Sequence, residues 1–331
     1  MSLLYANITN ITNPIRITVN ENHDVPSATA VVECTGHSLS LGDLITIDAG
    51  YTSNHAVLFT GYVKQIDYNV PDKLYTITMQ DKMIRAMDYF IAASDPNNPL
   101  KFKNVSAESL VQTLMAEAGL TSFTYGGVPT NFLLGVINEF EVNLVSSYDF
   151  CRNIADLLSW NLWCSIDGTV NFKNRKPYIM TGTSGQPGDT ADTFITYDSS
   201  DIQNIEFSYI LSNQSLRNRV VVYGVDPIHA EASASSPYLP AGFYKSVVFS
   251  HPDLIDTQDT ADKTASYNLQ LLNRLTEQVQ VQVQGEPSIH ARTALKFTSA
   301  ILGASEVEYY IYSCEHMLDQ SGYFTNLALR K

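Results

Sequence analysis

Charge is scarce in this sequence. Asp, Glu, Lys and Arg make up 16% of its 331 residues, against about a quarter in an ordinary soluble domain. Tyr, Asn, Thr and Ser fill the gap, which suits a surface largely covered by neighbours. Cysteine is scarcer still. Cys34, Cys151, Cys164 and Cys314 are scattered and form no C-x-x-C pair. In a chain of this length that argues against a disulfide framework. Each Cys reads as a small buried hydrophobe in a protein made in a reducing cytoplasm. No stretch approaches the run of about 18 apolar residues that a membrane helix needs. The opening Met1-Ser2-Leu3-Leu4-Tyr5-Ala6-Asn7 lacks the basic segment and apolar core of a secretory signal. There is no run of Lys and Arg, and the net charge is −14. Nothing therefore suggests a sequence-specific grip on nucleic acid. A negative wall would instead let DNA slide past without sticking.

Catalytic patterns are missing as well. His23, His37, His55, His229, His251, His290 and His316 share no metal-ligand spacing. There is no G-x-S-x-G elbow, Walker loop or G-x-G-x-x-G. Asp256, Asp259 and Asp262 stand at helical spacing without the Gly and Glu of a calcium loop; carboxylates at a helix N-terminus account for them. Glu139 and Glu141 are too isolated to make a glycosidase pair. No catalytic, cofactor-binding or metal-binding residues are expected.

What is present is a β unit written twice. The first copy contains Ser40-Leu41-Gly42-Asp43-Leu44-Ile45-Thr46-Ile47-Asp48, Leu58-Phe59-Thr60-Gly61-Tyr62-Val63-Lys64-Gln65-Ile66 and Leu74-Tyr75-Thr76-Ile77-Thr78-Met79. The second contains 289–297, Tyr309-Tyr310-Ile311-Tyr312-Ser313-Cys314-Glu315-His316 and Gly322-Tyr323-Phe324-Thr325-Asn326-Leu327-Ala328-Leu329. Tyr62 matches Tyr310 and Tyr75 matches Tyr323 at one offset with no gap. Both copies alternate apolar and polar residues, as strands with one buried face do.

The pattern predicts a mainly β chain with an α+β part: two similar antiparallel β-barrels and a small α/β unit. The first barrel is expected over 1–95. The α/β unit spans 96–180, with a helix at 106–118 capped by Ser106 and Gly119 and a second at 147–159 capped by Ser146 with Asp149. An Asp167-Gly168 hairpin follows. Residues 181–200 read as a flexible loop. The second barrel fills 201–331, with an insertion at about 226–256 and a helix at about 257–276 whose stripe is Ala261, Ala265, Leu269, Leu272 and Leu275. Gln278 to Gln284 alternates Gln with Val, a strand with one wet and one dry face.

In this order the segments resemble the baseplate hub proteins of contractile phage tails, of the late control D type. The resemblance rests on Leu41-Gly42-Asp43 and Leu58 to Val63, the helices at Val105-Ser106-Ala107 and Ser147-Tyr148-Asp149, Asn218-Arg219-Val220-Val221-Val222-Tyr223-Gly224, and the closing Tyr-rich barrel. It departs after Pro287, where the family usually carries a Gly-Asp turn and this chain has Ile289-His290-Ala291-Arg292; the turn geometry there stays open.

The resemblance implies tube-like barrels and a homotrimer whose six barrels adapt a threefold central spike to a sixfold tail tube. It implies further contacts with a tube-initiator, baseplate wedge and tape measure proteins, and a share in the DNA ejection channel. It implies a virion protein assembled in the host cytoplasm, with no enzyme activity, cofactor or membrane insertion. Two alternatives are a tail-associated cell-wall hydrolase and a carbohydrate-binding tail-tip protein. The sequence closes on the last barrel with no appended lysin, which weighs against the first. Trp160 and Trp163 could stack on sugars, but their place between helix and hairpin favours core packing.

Overall fold

In a computed structural model, the structure describes residues 3–92, 99–126, 132–174, 194–198, 208–273, 276–299 and 304–330. The alternating segments form strands as their periodicity predicts. In the first barrel these are β1 (Leu4–Ile8), β2 (Ile11–Asn22), β3 (Thr29–His37), β4 (Leu44–Tyr51), β5 (Asn54–Asn69) and β6 (Leu74–Asp81). Ile17, Val19, Ile45, Ile47, Ile77 and Met79 point inward and are fully buried.

The strands of this unit lie in the order β1-β4-β5-β6-β3-β2. The second unit is built from strands Phe194–Asp198, Ser208–Ser212, Thr276–Gln284, Ala294–Ser299, Ala304–Asp319 and Gly322–Arg330. Taken as first to sixth in chain order, they adopt the same first-fourth-fifth-sixth-third-second arrangement. Even a β-bulge recurs, between Val63 and Gln65 in β5 and between Ile311 and Ser313 in its counterpart. A bulge bends and twists a strand at a fixed point, so its repetition marks equivalent geometry.

Two differences emerge. The first and fourth strands pair antiparallel in the first unit and parallel in the second. The ungapped match of Tyr75 to Tyr323 also conceals a slip in register. Tyr62 faces Gln80, whereas Tyr310 faces Arg330, two residues further along the sixth strand than the sequence match predicts. The reason is the turn: Asn69 pairs Leu74, but Asp319 pairs Gly322 across a loop two residues shorter. A shift of two preserves which face is buried, so the alternation in sequence could not reveal it.

The two units are not separate sheets. β2 pairs antiparallel with Ala304–Asp319, from Ile17 opposite Leu318 to Asn22 opposite Ser313, and this joins all twelve strands. Between the units in sequence, short helix α1 (Ile84–Asp88) leads to α2 (Ala107–Glu117) and α3 (Ser147–Leu157). Ser106 Oγ accepts the Ser109 N–H and Ser146 Oγ accepts the Asp149 N–H, as the caps predict. Gly119 has φ +78° at the end of α2. The sequence reading missed that these halves repeat each other: Leu100–Phe102 pairs antiparallel with Phe140–Val142, each followed by a left-handed residue (Asn104, Leu144), a Val-Ser pair and a helix.

The Asp167-Gly168 hairpin forms, with Trp160–Cys164 antiparallel to Val170–Asn174. Of the expected 181–200 loop, Phe194–Asp198 is a strand; the remainder lies outside the described residues, as does 201–207. The insertion forms a sheet of Arg219–Tyr223 with His229–Ser233 and Ser246–Ser250. Helix α4 runs over Gln258–Leu272, shorter than expected. Its buried face is Thr260, Ala261, Thr264, Ala265 and Asn268; Leu269 and Leu272 are half-buried, and Leu275 lies outside the described residues. Though read with the second barrel, the insertion and α4 share their core with α2 and α3: Val220, Val222, Ile255, Ala261 and Ala265 join Leu110, Leu114 and Ile154. Small residues on α4 permit this close approach, and the second barrel keeps its own core around Val279, Val281 and Ile311.

Candidate assembly surface

The seam between the two units is where the polar chemistry of the chain concentrates. Leu318 and Tyr323, from the last hairpin, are buried in the core of the first unit. Beneath them His316 is buried between two fixed partners. Its Nε2 lies 2.9 Å from the Ile289 carbonyl and its Nδ1 2.8 Å from the Tyr323 hydroxyl. A carbonyl can only accept, so Nε2 carries the proton and Nδ1 accepts from Tyr323. Burial in this neutral form pushes its pKa down to about 4, against the pull of Glu21.

Glu21 of β2 reaches across the seam. One carboxylate oxygen accepts the Ala291 N–H at 3.1 Å, and the other lies 3.0 Å from His290 Nδ1. Arg292 reaches the opposite way, donating to the Asn22 carbonyl at 2.7 Å, with its guanidinium over the Trp163 ring. His23 Nδ1 meets the Tyr310 hydroxyl at 2.5 Å, and the Tyr312 hydroxyl donates to Asp24. A cavity of about 220 Å³ sits at this junction, lined by Glu21, Asp81, Trp163, His290 and Arg292 among others. Asp81 accepts from the Ser27 hydroxyl and the Ala28 and Met83 N–H groups, yet burial raises its pKa to about 6.

This resolves the turn left open after Pro287. In the first unit Gly42 has φ +86°, donates its N–H to the Val63 carbonyl, and Val63 donates back to Asp43. In the second unit Arg292 has φ +67°, donates to Ile311, and Ile311 donates back to Thr293. The turn is the same, with arginine where glycine would sit without strain.

The other sequence candidates scatter. Glu139 and Glu141 share Lys101 on the surface at 3.5 and 3.2 Å. Asp256 is buried and accepts three N–H groups, from Val136, Ile137 and Asn138, which makes it the anchor of that loop rather than a dipole partner of α4. Trp160 is in the core and Trp163 lies under Arg292. All four cysteines are buried and unpaired. Among the described residues no group of His, Cys, Asp and Glu could hold a metal ion, and no helix is long and apolar enough to cross a membrane. The Glu21–His290 and Arg292 contacts were missed by the sequence reading; the one available signal was the departure from Gly-Asp after Pro287.

The fold is that of phage tail and hub proteins. A 43 kDa tail protein of prophage MuSo2 from Shewanella oneidensis superposes with a TM-score of 0.68 at 13% identity, over 99% of this chain and 98% of that one. A tail protein from Neisseria meningitidis MC58 gives 0.67 at 10%, over 99% and 97%. The E. coli c3393 protein, a type VI secretion component described as similar to T4 tail proteins gp27 and gp5, gives 0.55 at 8%, over 98% and 76%. No family model matches the sequence. No curated protein matches it either. The likeness therefore lies in the fold, which agrees with the hub resemblance in the sequence.

Proposed function

We propose that this chain is the structural hub of a contractile phage tail baseplate. Three chains form a ring of six barrels that adapts a threefold central spike to a sixfold tail tube, and the ring forms part of the DNA ejection channel. The observation that carries this reading is the repeated strand order, with the two units already joined edge to edge inside one chain. A tube ring needs six matching surfaces, and duplication lets three chains supply them. The spike, the tube or its initiator, the wedge and the tape measure protein are the partners. The chain works in the virion after assembly in the host cytoplasm, without catalysis or cofactor. In this reading the division into 1–95, 96–180, 181–200 and 201–331 separates the ring from an outward unit, to which the insertion and α4 add.

Light scattering across a concentration series, with and without the spike protein, tests the reading. A mass of three chains in either condition is expected. A monomer under both conditions, or release of peptidoglycan fragments by the purified chain, would overturn it.

A further inference from the structure

The seam inside the chain predicts the seam between chains. Rows of paired residues crossing the two units can be matched from their common bulge. In the first unit the row runs Val63, Met79, Ala30, Val19. In the second it runs Ile311, Leu329, Val279, Tyr209. Tyr209 is thus the counterpart of Val19, and Ser208–Ser212 the counterpart of the part of β2 that holds the seam. Ser208–Ser212, however, ends the sheet: among the described residues nothing pairs with its outer edge.

The complementary half of the seam is also duplicated and also open. Ala304–Asp319 pairs with its fourth-strand neighbour only as far as Tyr310, and from Ser313 onward it pairs with β2. β5 behaves alike: β4 pairs with it only as far as Tyr62, and among the described residues nothing pairs with that edge of residues 65–69. Five positions past each bulge row, His316 corresponds to Tyr68, and Leu318 corresponds to Val70. His316 and Leu318 are buried in the seam, whereas Tyr68 is 49% and Val70 69% exposed.

We infer that Ser208–Ser212 pairs antiparallel with residues 65–69 of a second copy of this chain, Tyr209 opposite Tyr68 and Leu211 opposite Ile66. This rests on the trimeric hub reading and specifies its contact. The exposed side chains fit. Tyr209 and Leu211 correspond to the buried Val19 and Glu21, yet are 47% and 55% exposed. Within the chain, Glu21 is met by His290 and Ala291. Their counterparts before Gly42 are Ser40 and Leu41, and Leu41 is 68% exposed. A carboxylate facing His and a backbone N–H is thus replaced by Leu facing Leu, so both sides of the contact have changed together. An open groove of about 750 Å³ beside Leu41, Gly42 and Lys64 leaves room for the incoming strand end. Because the contact is head-to-tail, it repeats until a ring closes.

The test is oxidation of the purified full chain carrying Tyr68→Cys with Tyr209→Cys, beside a Val70→Cys with Leu211→Cys control that stands about 13 Å out of register. Directly opposed residues satisfy disulfide geometry, and the control pair does not. Covalent dimers and trimers on a non-reducing gel from the first pair alone are expected. Leu211→Asp provides a second measurement, since its side chain is already half exposed in the monomer. It should leave the unfolding midpoint in place and weaken association at least about ten-fold. A trimer by light scattering without the cross-link, or with Leu211→Asp associating normally, overturns the pairing while leaving the hub reading intact. A chain that never associates overturns both.

Discussion

The two barrels share a strand order, a bulge and a turn, yet they occupy opposite situations. The last hairpin of the second barrel is sunk into the first, where Tyr323 is fully buried and bonded to His316. The matching hairpin of the first barrel stands in solvent, with Tyr75 half-buried against Tyr68 and His37. The frame has been kept and the chemistry has followed the neighbour. Where the neighbour is the same chain, the seam carries Glu21, His290, Arg292 and His316; their counterparts Leu211, Ser40, Gly42 and Tyr68 carry no charge and are exposed.

The sharpest way to break the comparison is to truncate the two tyrosines matched in sequence, which stand two residues apart along the sixth strand once the register slip is counted. Tyr323→Ala should cost about 4 kcal/mol, because it empties a core site and removes the shorter of two hydroxyl bonds to His316 Nδ1. Tyr75→Ala should cost about half as much, since its ring keeps solvent contact. Urea unfolding midpoints measure both, and equal costs would mean that the two hairpins are not in different environments.

Next in size is the response to pH, where the barrels oppose each other. His316 titrates near 4 in the folded chain against 6.5 unfolded, so its contribution is full above 6.5 and is lost as pH falls through 4. Asp81 titrates near 6 folded against 3.8 unfolded, so its contribution is full below 3.8 and is lost as pH rises through 6. Each is worth about 3 kcal/mol over its window, and together they nearly cancel between pH 4 and 6. Asp81→Asn should leave stability climbing with pH across that window, and His316→Gln should leave it falling. Denaturation series at fixed pH steps would expose either slope.

The smallest effect sharpens the match of the two turns. Gly42→Ala should cost about 1 kcal/mol through backbone strain alone, because nothing lies within 4 Å of an added Cβ. Arg292→Gly should exceed Arg292→Ala in stability by a similar amount, although both lose the bonds to Asn22. Equal stability of the last two variants would show that the left-handed turn carries no strain.

Local pattern reached far into this fold. Ser106 and Ser146 as caps, the Asp167-Gly168 hairpin and the Gln-Val strand were legible because each depends on residues a few positions apart. The register slip between the barrels was not legible, since a shift of two leaves the alternation unchanged. Nor was the kinship of the insertion and α4 with the α/β core, because Ala261 and Ala265 look alike on any helix that approaches a sheet.

By itself, then, the sequence determined the alternating strands of both barrels, helices α2 and α3 with their caps, and the duplication, all set by periods of two and 3.6 and by turn chemistry. Only the tertiary structure decided that β2 joins the second barrel, that Arg292 takes the place of Gly42, and that Glu21, His290 and His316 meet. Those contacts bring together residues more than two hundred and fifty positions apart. No local pattern specifies such a meeting; it follows from the burial of two cores against one shared edge.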